Sequence, residues 1–283
     1  MFINSAHSVP EIRNKRTAHR TDDIDFAIKG AESQYVEIEL DPGEAAIAEA
    51  GSMMYKDPQI AMTTVLGDDS EEERSLMNRV WGAGKRVASG VGMFTTLFSH
   101  EGEGKAHVAF AAPYPGHIIA LKLDDIDGEL ICQRDAFLCA ARGISFDVYL
   151  QRKVMTGLFG GEGFVLQHLT GHGWAFVHVG GTVMERELAE GESIDVDAGC
   201  VAAFTKGVNF DLTSVGNVRS KIFGGDGLFF ARLTGPGKVW VQSLPFSRLA
   251  GHIAATSRAT DVKETVGLDL AGVVGAGIIS SLK

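Results

Sequence analysis

Phe159-Gly-Gly-Glu-Gly163 runs into Phe164-Val-Leu-Gln-His-Leu-Thr-Gly171-His-Gly173-Trp-Ala-Phe-Val-His178, and Phe223-Gly-Gly-Asp-Gly227 runs into Leu228-Phe-Phe-Ala-Arg-Leu-Thr-Gly235-Pro-Gly237-Lys-Val-Trp-Val-Gln242. From 159 to 223 and from 171 to 235 the offset is 64 in both cases, so one unit is written twice. Apolar and polar residues alternate between the glycines, the period of a β-strand with one face turned to a core. A second signature opens each unit: Gly43-Glu-Ala-Ala-Ile-Ala, Gly128-Glu-Leu-Ile-Cys-Gln and Gly191-Glu-Ser-Ile-Asp-Val. The runs Gly143-Ile-Ser-Phe-Asp-Val and Gly207-Val-Asn-Phe-Asp-Leu are again 64 apart. Gly102-Glu-Gly104 is a faded first copy of the Gly-x-Gly turn, without the glycine-rich loop ahead of it.

The expected fold is therefore mainly β: three repeated antiparallel β-sandwich units in a pseudo-threefold, barrel-like arrangement, with one or two short helices. The units span about residues 26–115, 116–180 and 181–245 within a single domain of residues 23–252. Residues 1–22 read as a mobile basic tail, and 253–283 as a polar linker and an apolar, Gly-rich tail. Ser70 with Glu73 gives capping-box spacing for a helix over about 71–81, and the run from Phe246 to Ala255 predicts another short helix.

The chain has 283 residues, 45% of them apolar, which suffices for a sizeable core, and its 35 glycines mark the turns. A net charge of -10 argues against a surface that coats nucleic acid. Cys132, Cys139 and Cys200 show no Cys-x-x-Cys spacing and sit among apolar neighbours, as buried thiols of a reducing compartment do. Without a signal-peptide pattern at the start, the expected location is cytoplasmic.

If Gly171-His-Gly173 closes a hairpin with Thr170 opposite Trp174, residues of equal parity share a face. The odd face, Val165, Leu169, Ala175 and Val177, is the expected core. The even face mixes aromatics with charge, the composition of an interface or ligand surface: Trp174, Phe176, Phe230, Arg232, Lys238, Trp240 and Gln242.

No catalytic residue is assigned, since no Gly-x-Ser-x-Gly elbow or adjacent Cys–His pair is present. His107, His168 and His178 are the candidate metal ligands, but no carboxylate or thiolate joins them and the later copy carries other residue types there. No cofactor is expected: each glycine loop carries an acid and precedes a strand, unlike a phosphate-binding loop.

Phe159-Gly-Gly-Glu-Gly163, Leu169-Thr-Gly-His-Gly173, Phe223-Gly-Gly-Asp-Gly227, the run Leu233 to Pro245 and Ala48-Glu-Ala-Gly-Ser-Met-Met54 together resemble the altered-inheritance-of-mitochondria family, in its bacterial domain-of-unknown-function branch. The resemblance covers about Phe26 to His252. It implies a fold like that of the tryptophan RNA-binding attenuation protein, and its mitochondrial members are associated with inner-membrane organisation. The expected function is a non-enzymatic scaffold or binding protein, homo-oligomeric through its sheet faces. Two alternatives stand beside it. One is a small-ligand-binding protein or enzyme with a cleft between β units; the other is a peripheral membrane organiser using the apolar tail Leu268 to Leu282, which is too short to span a bilayer.

Overall fold

The structure, a computed structural model, describes residues 12–14, 24–49, 51–65, 95–152, 164–214, 229–253 and 256. The expected helix over 71–81, the loops 159–163 and 223–227 and the apolar tail 268–282 lie outside the described residues. Two compact units are present, Met1–Pro245 and Phe246–Lys283. Within the second, a helix runs over 246–253, as its apolar spacing predicts.

The first unit is mainly β, and its strands fall into three blocks. The first block contains β1 (Ile12–Asn14), β2 (Asp25–Lys29), β3 (Tyr35–Leu40), β4 (Ala45–Glu49), β5 (Met53–Lys56), β6 (Ile60–Val65), β7 (Thr95–His100) and β8 (Ala106–Ala111). The second contains β9 (Gly116–Lys122), β10 (Glu129–Gln133), β11 (Phe137–Ala141), β12 (Ile144–Arg152), β13 (Phe164–Gly171) and β14 (Trp174–Gly180). The third contains β15 (Val183–Leu188), β16 (Ser193–Asp197), β17 (Val201–Thr205), β18 (Asn209–Ser214), β19 (Phe229–Thr234) and β20 (Gly237–Gln242).

All three blocks use one antiparallel pairing scheme. β7 lies between β4 and β6, and β8 between β3 and β5. In the second block β13 lies between β10 and β12, and β14 between β9 and β11. The third repeats this with β19 between β16 and β18, and β20 between β15 and β17. The 64-residue offset survives in the register: Glu129 faces Thr170 as Ser193 faces Thr234, with 193 − 129 and 234 − 170 both 64. A bulge even recurs at the same place, between Met53 and Tyr55, Phe137 and Cys139, and Val201 and Ala203.

Blocks are joined by shared sheets. β4 pairs with β11, making a six-stranded sheet from blocks one and two, and β10 pairs with β17, making another from blocks two and three. A five-stranded sheet ending in β5 and a three-stranded sheet ending in β16 complete the unit, and the described sheets are open rather than closed into a barrel. Ile12–Asn14, inside the stretch read as a tail, adds β1 to the edge of the five-stranded sheet.

Three apolar layers separate the four sheets. Phe26, Ile38, Val108 and Phe110 meet Phe98, Cys139 and Phe176 in one; Ile47, Ala140 and Val177 meet Leu130, Leu169 and Trp240 in the next. Ile131, Leu166, Phe204 and Val239 meet Val196, Ala231 and Leu233 in the third. Both six-stranded sheets thus carry apolar residues on both faces, which explains why Ala141 follows Ala140 and Cys139 in an unbroken buried run.

This layering overturns one expectation. β13 and β14 do not form a hairpin: Thr170 faces Glu129 and Ser145, whereas Trp174 faces Lys122 in a different sheet. Gly171-His-Gly173 is a corner between layers. Gly171 makes it possible with a φ of +133°, and a Cβ there would stand 2.2 Å from the Gly143 carbonyl oxygen. The equivalent corner holds Gly237 at φ +142°.

Candidate interaction surface

Because the chain changes sheets at the corner, parity does not sort residues into a core face and a partner face. Phe176 is fully buried, its ring edge-on to Phe26 at 4.8 Å. Trp240 is 2% exposed and donates its indole N–H to Glu185 at 3.0 Å. Trp174 is half-buried between the Phe26 ring, 5.0 Å away, and the Lys122 ammonium, 5.7 Å from its centroid.

Gln242 is 3% exposed and acts as a clamp. Its Oε1 accepts from Gly180 N–H at 3.0 Å, while Nε2 donates to the Gly199 carbonyl at 3.0 Å and to Gln133 Oε1 at 3.3 Å. Phe176, Trp240 and Gln242 therefore serve the interior, where neighbouring sheets cover the even positions as fully as the odd ones.

The remaining members of the set reach the surface. Arg232 lies on β19 with Asp195 directly across from it on β16 and Asp211 across on β18. Its guanidinium grips Asp195 through Nε at 2.7 Å and Nη2 at 2.9 Å, and this contact holds the Asp195 carboxyl below its ordinary pKa. Lys238 reaches Glu185 at 3.6 Å, and Phe230 is half-buried opposite Asp197. The outer face of the three-stranded sheet is thus a charged row, acid–base–acid across three strands.

The histidines do not converge. His107 stands on β8, its Nε2 3.3 Å from Glu39 and its Nδ1 3.4 Å from Asp57. His168 stands on β13 in a different sheet, with Nε2 2.8 Å from Glu129. Lys206 binds the same carboxylate, and its hydrogen bond is the main reason the Glu129 pKa falls, with His168 adding to the effect. His172, at the corner, pairs with Asp124 at 2.9 Å. His178 is 1% exposed on β14, in a third sheet, against the Tyr114 ring at 4.4 Å. Among the described residues no group of three metal-ligating side chains forms.

The Gly-Glu signatures have a structural meaning that spacing alone misassigned. Glu44 accepts from Asp41 N–H and Glu192 from Ala189 N–H, each at 2.9 Å, so the side chain closes the turn that opens its strand. In ladder register, however, Gly43 and Gly191 correspond to Asp127, not Gly128. Asp127 holds the left-handed conformation with φ 58°, beside Gly43 at 88° and Gly191 at 76°. Glu129 is thereby released from turn closure and takes His168 and Lys206 instead.

Positions that sequence reading passed over lie at the sheet ends. Met54 on β5 is 56% exposed and Tyr55 is 37% exposed, although their counterparts Leu138, Cys139, Ala202 and Ala203 are all buried. Aligning the three blocks strand by strand would have exposed this contrast.

Comparison with known proteins agrees with this architecture. An uncharacterized protein of Streptococcus pyogenes serotype M6 is 27% identical over 219 residues, covering 77% of this chain and 84% of that one. A crystal structure of a Streptococcus pyogenes protein superposes with a TM-score of 0.64 at 21% identity, covering 82% of this chain and 99% of that one, which shows a common fold. No described helix is long and apolar enough to cross a membrane. The family model for mitochondrial biogenesis AIM24 matches residues 26–244, so the chain belongs to that family.

Proposed function

We propose that this chain is a non-enzymatic scaffold or binding protein that works as a homo-oligomeric assembly, with its three blocks set around an approximate threefold axis. The observation that carries the reading is sheet sharing. Strand β4 of one block completes the sheet of the next through β11, and β10 does the same through β17, so the unit's own construction principle is edge-to-edge joining of like parts. Charged groups on the outer faces fit a protein-binding role. Arg232–Asp195, Lys238–Glu185 and Lys206–Glu129 are local pairs spread over different strands, each satisfied by a neighbour. Such rim charges set which partner docks and how fast.

Among the described residues the three cysteines are buried and form no disulfide, which fits a reducing compartment, and burial pushes the Cys132 thiol up to about 12. Light scattering on the size-separated protein tests the assembly. The expected mass is a small multiple of one chain at micromolar concentration; a single-chain mass across the concentration range refutes it.

A further inference from the structure

Among the described residues, two of the three equivalent seams between blocks are closed within the chain and the third is open. At the closed seams the register is Cys139–Ala48, Ala140–Ile47 and Ala141–Ala46 in one, and Ala203–Cys132, Phe204–Ile131 and Thr205–Leu130 in the other. The shared bulge fixes the correspondence: Tyr55 takes the place of Cys139 and Ala203, Lys56 that of Ala140 and Phe204. The 64-residue offset likewise puts Ile194, Asp195 and Val196 in the places of Leu130, Ile131 and Cys132. The third seam would therefore match Tyr55 with Val196, Lys56 with Asp195 and Asp57 with Ile194. Among the described residues β5 and β16 end their sheets, and no ladder joins them.

Three properties of these edges are complementary. The first is backbone orientation. Asp57 N–H donates to the His107 carbonyl at 2.9 Å, so by ladder alternation the N–H and C=O of Lys56 point away from β8. Gly235 N–H donates to the Glu192 carbonyl at 2.9 Å, and the same alternation turns the backbone groups of Asp195 away from β19. Lys56 and Asp195 are thus the residues whose free backbone groups would exchange hydrogen bonds.

The second property is charge. Asp211, Arg232 and Asp195 already lie in one cross-strand row, and Lys56 would extend it to acid, base, acid, base over four strands. Among the described residues the Lys56 ammonium has no ion-pair partner. A lysine on an edge strand blocks chance pairing with other chains, but not pairing with an edge that offers a carboxylate at the facing position. The third is shape: Tyr55 opposite Val196 is an aromatic–β-branched pair of the kind that stabilises ladders.

We infer that β5 and β16 are the two halves of an intermolecular seam, and that β5 of one chain pairs antiparallel with β16 of a second copy of this chain. The residues at the closed seams are apolar, Ile47, Ile131, Ala140 and Phe204, as suits contacts that form once on folding. At the open seam the corresponding residues are Asp195 and Lys56, which tolerate water when unpaired, as suits a contact that forms and breaks between chains. The surface is heterologous, so repeated pairing gives a ring or a linear array. This inference rests on the assembly reading above and adds its address.

Disulfide trapping tests it. Tyr55 and Val196 would form a non-hydrogen-bonded pair, where Cα atoms approach to about 4.5 Å and a disulfide fits. A Tyr55→Cys chain mixed with a Val196→Cys chain under mild oxidation should give a two-chain species on a non-reducing gel, with neither variant cross-linking alone. Lys56→Pro, which removes an edge N–H and leaves the β8 ladder unchanged, should weaken self-association at least tenfold by light scattering. If the doubly substituted chain cross-links only to itself, the seam closes within one molecule and the inference is wrong. An oligomer that persists undiminished in Lys56→Pro, with no mixed disulfide, rejects the seam but leaves the assembly reading standing. A single-chain mass for the parent protein rejects both.

Discussion

His178 makes the fold sensitive to mild acid. It is 1% exposed, and neither ring nitrogen makes a hydrogen bond of good geometry among the described residues, the Tyr114 backbone being the polar neighbour that acts on it most. Burial pushes its pKa down from 6.5 to about 4; the Tyr114 backbone opposes this and His117 adds slightly to it. The unfolded chain binds a proton to this residue near pH 6.5 and the folded chain only near pH 4. Its stabilising contribution is therefore complete above about pH 6.5 and is lost progressively as the pH falls to about 4. A gap of about 2.5 pH units at roughly 1.4 kcal/mol per unit amounts to about 3.5 kcal/mol in full, of which about 3 is lost by pH 4, a large fraction of the roughly 5–15 kcal/mol that holds a domain folded.

His178→Phe keeps an aromatic ring against Tyr114 while removing the titrating group. At pH 7.5 it should be neutral or mildly stabilising, because an unpaired buried polar group is lost. Urea denaturation of parent and variant at half-unit steps from pH 7.5 to 4 measures the difference directly. The variant's advantage should grow from near zero to about 3 kcal/mol across that range, with the carboxylates cancelling in the comparison. Parallel pH profiles for the two proteins would refute the reasoning, since they would mean that His178 is protonated in the native state as readily as in the unfolded one.

Other substitutions read the interior and the corner. Gln242→Leu leaves Gly180 N–H, the Gly199 carbonyl and Gln133 without their partner and should cost about 3 kcal/mol, at roughly 1–3 for each buried group left unpaired; faster hydrogen exchange at Gly180 would accompany it, and a loss below about 0.5 kcal/mol would contradict the clamp. Phe176→Ala should cost about 3–5 kcal/mol as a core cavity, whereas Arg232→Ala on the outer face, where water screens the ion pair, should cost far less; similar losses for the two in chemical denaturation would undo the division between them. Gly171→Ala forces a Cβ towards the Gly143 oxygen at a positive φ and should destabilise by more than about 1 kcal/mol, measured by thermal unfolding; an unchanged melting temperature would show that the corner can relax.

Much of the fold was legible because a repeat constrains itself. The spacing between Gly171 and Gly235 reappears as ladder register, and the alternation of Tyr35-Val-Glu-Ile-Glu-Leu40 is the buried-and-half-buried pattern of β3. The candidate surface was less legible. Arg232 and Lys238 could be placed outside from their charge, but Phe176, Trp240 and Gln242 could not be placed inside, because alternation distinguishes two faces without saying what covers either. Asp127 escaped notice for a related reason: a left-handed turn residue is recognised when it is glycine, and here the glycine is one position late.

The sequence by itself determined that the chain is built from repeated antiparallel β units, and which residues alternate along the strands that its repeats mark. These are properties of local spacing and turn chemistry, and they need no knowledge of distant residues. Tertiary structure decided which sheet each strand joins, that consecutive strands β13 and β14 part company at Gly171 to Gly173, and that two seams close while, among the described residues, β5 and β16 end their sheets. Those outcomes depend on contacts between residues far apart in the chain, where Ala48 meets Cys139 and Cys132 meets Ala203, and strand pairing over such distances is settled by the packing of whole layers rather than by any single stretch.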